Sequence, residues 1–179
     1  MSEDHLTTTN TTATLEDMLT ITEHGYGLAS TKDQYIMRFD AEDQDLLSGL
    51  HLATTTSPGA HTRYVYTCVS RKRVWIHRLL AGAKEGEVVD HINGDGLDNR
   101  KANLRVCSPS QNLWNQRLSR LSTSGVKGVH WHKGKRKWTG RVRAYNKNYD
   151  IKGFDTIEEA AEAIRVLRER LHGEFARHR

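Results

Sequence analysis

Hydrophobic and polar positions change their period several times along this chain, and each change marks a predicted element. Tyr35-Ile36-Met37-Arg38-Phe39 reads as a strand. It runs into Asp40, placed as an N-cap before a helix over 41–49 with Asp43 at the third helical position. The stretch 54–59 (TTTSPG) predicts a loop. Residues 63–69 (RYVYTCV) alternate as a strand does and turn at 70–72. A short apolar helix over 74–80 (VWIHRLL) follows, stopped by Gly82.

From Val88 the pattern tightens. A short strand over 88–92, a loop of sequence NGDGLDN and a second strand over 104–106 form a hairpin. Ser108 as N-cap, Pro109 at the first helical position and Gln111 completing a capping box start a helix that runs to about 118. The polar stretch 118–125 predicts a linker. Three strands over 128–131, 138–144 and 149–154 come next. Thr156 and Glu159 then box the start of a helix with apolar residues at 157, 160, 161, 164, 167 and 171, ending at Gly173. The predicted class is α+β, with no internal repeat. Residues 1–14, rich in Thr and Asn, predict a disordered arm. The expected division is that arm, a mixed acidic segment over 15–73, a hairpin–helix module over 74–117, the linker 118–125 and a sheet–helix module over 126–179.

Composition narrows the function classes. Of 179 residues, 36% are hydrophobic and 27% charged, which suits several small units with thin cores. No apolar run spans a bilayer and the acidic, polar start MSEDHLTTTN is no signal peptide. Cys68 and Cys107 form no CxxC pair, so a reduced cytoplasmic compartment and no structural zinc are expected. The net charge of +5 hides an asymmetry: residues 1–60 hold two Lys or Arg against ten Asp or Glu. Between Asn99 and Tyr149 there are 13 Lys or Arg and no acid. A block this long and this one-sided points to a polyanion, and nucleic acid is the expected partner.

The chemistry-bearing stretch is DHINGDGLDNRKANLRVCSPSQNLWN, with Asp90-His91 ending a strand, Asn103 twelve residues after His91 and Asn112 nine further on. It resembles the HNH endonuclease family, in the branch where Asn replaces the last His and which occurs in phage and intron homing endonucleases. Ile76-His77-Arg78-Leu79 resembles that branch too. The resemblance implies a ββα-metal finger holding one divalent cation per chain, Mg²⁺ or Mn²⁺, through Asp90 and Asn112. It implies His91 as general base and Asn103 as the residue that tethers the loop and orients that base. The chemistry agrees: phosphodiester hydrolysis needs a base titrating near neutrality and positive charge on the developing phosphorane, and hard oxygen ligands suit these metals. Arg100 and Arg105 are candidate phosphate grips. His77 is either a packed helix residue or a phosphate contact.

The text SGVKGVHWHKGKRKWTGRVRAYNKNYDIKGFDTIEEAAEAI resembles the APETALA2-type DNA-binding domain. That implies a three-stranded antiparallel sheet backed by one helix, with the open face of the sheet in the major groove. Alternation puts Val129, Trp131, Trp138, Gly140 and Val142 toward the helix. His130, His132, Thr139, Arg141 and Arg143 then face DNA, with Lys127 beside them. The pattern around Phe39–Leu47 resembles the leader of phage proteins of this type.

Together these readings predict a metal-dependent, site-directed endonuclease acting on double-stranded DNA. One finger per chain predicts a nick by a monomer, with paired action left open, in the cytoplasm of a host cell if the gene is a phage's. Two alternatives stand beside it: a DNA-binding regulator that does not cut, and a phage DNase of relaxed specificity.

Overall fold

The computed structural model describes residues 19–56 and 62–178. The predicted arm at 1–14 lies outside them, as does part of the predicted loop at 54–59. The described chain is α+β and divides into two compact units. The first takes the described residues up to Leu80 together with Gly96–Lys101; the second takes Ala81–Asp95 and the chain from Ala102 onward.

In the first unit, β1 (Leu19–Ile21), β2 (Tyr26–Ser30) and β3 (Ile36–Asp40) form an antiparallel sheet. Gly27 stands opposite Phe39, and a Cβ at Gly27 would run into the Phe39 ring, so the close approach requires glycine. Asp40 is extended but makes no cap bond with its side chain. Its Oδ2 instead accepts from the backbone N–H of Lys101 at 2.6 Å. The predicted helix over 41–49 is therefore a 3₁₀ turn at Ala41–Asp43 and one turn of helix, α1 (Gln44–Leu47).

A second sheet joins β4 (Ala53–Thr55), β5 (Tyr64–Val69) and β6 (Lys72–Trp75). Strand β4 occupies part of the predicted loop, because its backbone pairs with Tyr64–Tyr66. The β5–β6 turn is made by Ser70 and Arg71, both at positive φ (49° and 65°), the conformation whose twist matches a hairpin. Residues Val74 and Trp75, predicted helical, pair with β5 instead, and α2 is only Ile76–Leu80. Met37, Phe39, Leu47, Val65 and Ile76 are buried at 0–1% exposure and form the core.

The second unit begins with β7 (Val88–His91) paired antiparallel with β8 (Leu104–Cys107). The capping box at Ser108 and Gln111 is present and Pro109 opens α3 (Pro109–Trp114). This helix stops at Asn115, several residues before the predicted end. Strands β9 (Val129–His132), β10 (Lys137–Ala144) and β11 (Lys147–Phe154) form an antiparallel sheet in the order β11-β10-β9. Helix α4 (Ile157–His172) starts with the Thr156 and Glu159 box and ends at Gly173. Val129, Val142, Ala160 and Ile164 centre the core between helix and sheet. Gly140 seats the helix: a Cβ there would meet Ile164 Cγ1. Trp131 shares the face of its cross-strand partner Trp138, with its ring edge-on to it, but is 42% exposed at the sheet's rim. The helical stripe is also wider than predicted, since Arg168 and His172 are buried on the same side as Ile164.

Candidate active site and nucleic-acid interface

Strand β7 delivers Asp90 and His91 to the end of the hairpin, and both are buried, at 6% and 4% exposure. Asn103 lies just before β8 and is buried as well. Its carbonyl accepts from Ile92 N–H at 2.9 Å, its Oδ1 from Asn93 N–H at 3.0 Å, and its Nδ2 donates to Asn93 Oδ1 at 3.0 Å. These bonds close the mouth of the β7–β8 loop directly after His91.

Asn112 is half-buried in the first turn of α3, where its N–H bonds to Ser108 O at 3.1 Å. The side chain that crosses to Asp90 is Asn115, which the sequence reading did not single out. Asn115 Nδ2 donates to Asp90 Oδ1 and His91 O, both at 3.0 Å, and to Ile92 O at 3.3 Å. Asn115 stands three residues after Asn112, at the C-cap just past the last residue of α3.

Asp90 and Arg105 are directly opposite across the hairpin. Asp90 Oδ2 accepts from Arg105 Nε at 3.0 Å and from its terminal nitrogen at 2.8 Å. The expected phosphate grip at Arg105 is therefore a buried ion pair in this state. Arg100 is likewise occupied: its guanidinium forks onto the buried Asp98 with two bonds of 2.7 Å. Lys101 pairs with Glu42 at 2.6 Å and Asp43 at 2.9 Å. His77, in the first unit, sits in an aromatic cluster 5.7 Å from Tyr64 and 5.9 Å from Trp75.

Among the described residues no three His, Cys, Asp or Glu side chains converge. The expected pair for a divalent cation is one carboxylate, Asp90, and one amide, Asn112. Both offer hard oxygen, and Asp90 is held in place by Asn115. That donor chemistry fits Mg²⁺ or Mn²⁺.

In the C-terminal module, the outer face of the sheet holds a shallow cavity of about 170 Å³ lined by His130, His132, Lys135, Arg141, Asp150 and Lys152. His130 Nε2 is 2.8 Å from the Thr139 hydroxyl, and Arg141 is paired with Asp150 at 2.6 Å. Arg143 is exposed on the same strand, two residues from Arg141. Lys127 does not join them. Its ammonium donates to the carbonyls of Trp114, at 2.9 Å, and Gln116. Burial, with the charges of Arg168 and Arg177, lowers its pKa to about 8. Lys127 is thus a clasp between the chain after α3 and the C-terminal module. His172 stacks flat on Trp114, with ring centroids 4.3 Å apart.

A family model described as "HNH endonuclease" matches residues 74–113. Protein 3.8 of Escherichia phage T7 is 40% identical over 95 residues, which is 53% of this chain and 78% of that protein. An uncharacterized HNH endonuclease of Acanthamoeba polyphaga mimivirus is 35% identical over 88 residues, 49% of this chain and 44% of that protein. No solved structure matches the chain. No helix among the described residues is long and apolar enough to cross a membrane. The hairpin that carries Asp90, His91 and Asn103 lies within the family match, so the chain carries an HNH endonuclease domain, that of a DNA-cleaving hydrolase.

Proposed function

We propose that this protein is a divalent-metal-dependent, site-directed endonuclease of the homing type. It nicks one strand of double-stranded DNA as a monomer, in the cytoplasm of the host cell. The observation that carries the reading is the convergence of buried Asp90, His91 and Asn103 at one end of a hairpin, with an α3-end amide locking the carboxylate.

His91 takes the proton from a water aligned with the phosphorus, a role worth roughly 10²–10⁴ in rate. The water oxygen then bonds to phosphorus as the bond to the leaving deoxyribose oxygen breaks. Asn103 keeps the chain after His91 closed, which fixes where the imidazole points. Asp90 and Asn112 would hold the cation through oxygen. When bound, Mg²⁺ or Mn²⁺ supplies positive charge against the phosphorane and leaving oxygen. Arg141, Arg143, His130 and His132 place the outer face of the C-terminal sheet on duplex DNA, in the manner of the APETALA2 resemblance; Arg suits bidentate contact with guanine or phosphate.

Supercoiled plasmid carrying candidate target DNA tests this directly. With Mg²⁺, the wild type is expected to yield relaxed circles, and none with chelator or with His91→Ala. Binding without cutting under every metal tried would instead favour a regulator. Cutting at many sites regardless of residues 126–179 would favour a relaxed DNase.

A further inference from the structure

Arg105 carries more contacts than a phosphate grip awaiting DNA should. Besides its two bonds to Asp90 Oδ2, it donates to Glu174 O at 2.9 Å and lies 3.5 Å from that residue's carboxylate. Its guanidinium stacks 3.7 Å over the Phe175 ring. Both ends of the Asp90–Arg105 pair are nearly dry, at 7% and 11% side-chain exposure. A carboxylate offers about four acceptor sites, and Arg105 with Asn115 fills three on Asp90. A guanidinium cannot shed its proton, so it holds a permanent positive charge at the carboxylate expected to receive a divalent cation.

We propose that Arg105 is a positioning residue that acts through Asp90, a resident counter-ion which the divalent cation must displace and which DNA draws away. In the DNA-free protein Arg105 keeps Asp90 neutralised. A phosphodiester offers the guanidinium an equivalent forked partner, and once Arg105 turns to it, Asp90 is open. Metal and DNA then bind with positive coupling, and by linkage each strengthens the other equally. The nuclease stays poorly loaded until it lies on its substrate. The turn Gly173–Phe175, just beyond α4, supplies the parking contacts for the guanidinium.

The inference rests on the proposed cation site at Asp90, and the test separates the two. Full-length protein carrying His91→Ala, to prevent turnover, is titrated with Mn²⁺ by calorimetry, alone and with duplex DNA. Adding Arg105→Gln is expected to tighten Mn²⁺ binding about tenfold without DNA. DNA is expected to tighten binding in the parent by a similar factor and to change the Arg105→Gln protein little. Phe175→Leu, which keeps the guanidinium but removes its platform, is expected to fall between them; should Arg105→Gln fail to fold, Phe175→Leu against parent carries the test. Equal Mn²⁺ affinity in parent and variant, or equal tightening by DNA in both, overturns the counter-ion role alone. Mn²⁺ binding to none of the proteins overturns the cation site and the counter-ion role with it.

Discussion

At Asn115 one amide group donates to Asp90 Oδ1 and to the carbonyls of His91 and Ile92. The bond to Asp90 Oδ1 is buried, so losing its donor leaves that oxygen short of a partner at a cost of about 1–3 kcal/mol, while His91 O keeps the N–H of Gly94 at 2.8 Å. Asn115→Ala is expected to lose stability of that order by urea denaturation and to cut DNA more slowly, because Asp90 is then held by Arg105 alone. Asn115→Asp should be worse on both measures, since it sets a second carboxylate against Asp90. A variant as stable and active as wild type would remove Asn115 from the site. The placement of Asp90 and His91 at a strand end and of Asn103 just before the second strand was legible in the sequence, because hairpins leave local signals, while their roles came from the family resemblance. Asn115 was not legible, because nothing in QNLWN says which Asn faces the hairpin until the helix stops at Trp114.

At the scale of elements, both capping boxes and the sheet–helix module follow the predicted pattern, since caps and alternation are written within a few residues. The first unit strays further: Asp40 bonds to Lys101, sixty-one residues away, and no local pattern announces that. Two tests belong here. Gly140→Ala drives a methyl into Ile164 and is expected to lower stability by about 1–3 kcal/mol; an unchanged melting temperature would mean that α4 sits farther from the sheet. His172 is the second. Burial lowers its pKa below the ordinary 6.5, with the charges of Arg168 and Lys127 adding to the effect, while the Arg143 carbonyl opposes it. As pH falls below 6.5 the unfolded chain therefore takes up the proton first, and stability is lost across the window between 6.5 and the folded pKa. His172→Phe, which keeps a ring on Trp114, should reduce that acid sensitivity. An identical pH profile of the melting temperature would contradict the assignment.

For the whole molecule, local pattern separates a hairpin–helix stretch from a sheet–helix stretch but does not show what joins them. The stretch 118–125 predicts a tether, yet side chains on both sides of it fasten the hairpin–helix to the sheet–helix module: Lys127 on Trp114 and Gln116, His172 on Trp114, and Arg177 on Asn93 O. Lys127, basic in a cationic stretch, reads from the sequence as a DNA contact, and its carbonyl partners become visible only in the fold. Charge acts at this scale as well. Arg141→Ala with Arg143→Ala is expected to weaken DNA binding and flatten its salt dependence by about two charges. Asp150→Asn, which releases Arg141 from its ion pair, is expected to tighten binding at low salt. A slope unchanged in the double variant would put the duplex on another face.

In the proposed function a single buried carboxylate at the hairpin end, Asp90, organises the cutting chemistry, apart from the surfaces that hold DNA. Asp90→Ala separates the two. Cleavage of supercoiled target DNA in Mg²⁺ and affinity for the same DNA would be measured side by side. The expected result is loss of nicking with DNA affinity retained within a few-fold. Metal-dependent nicking by the Asp90→Ala protein at the wild-type rate would contradict the account.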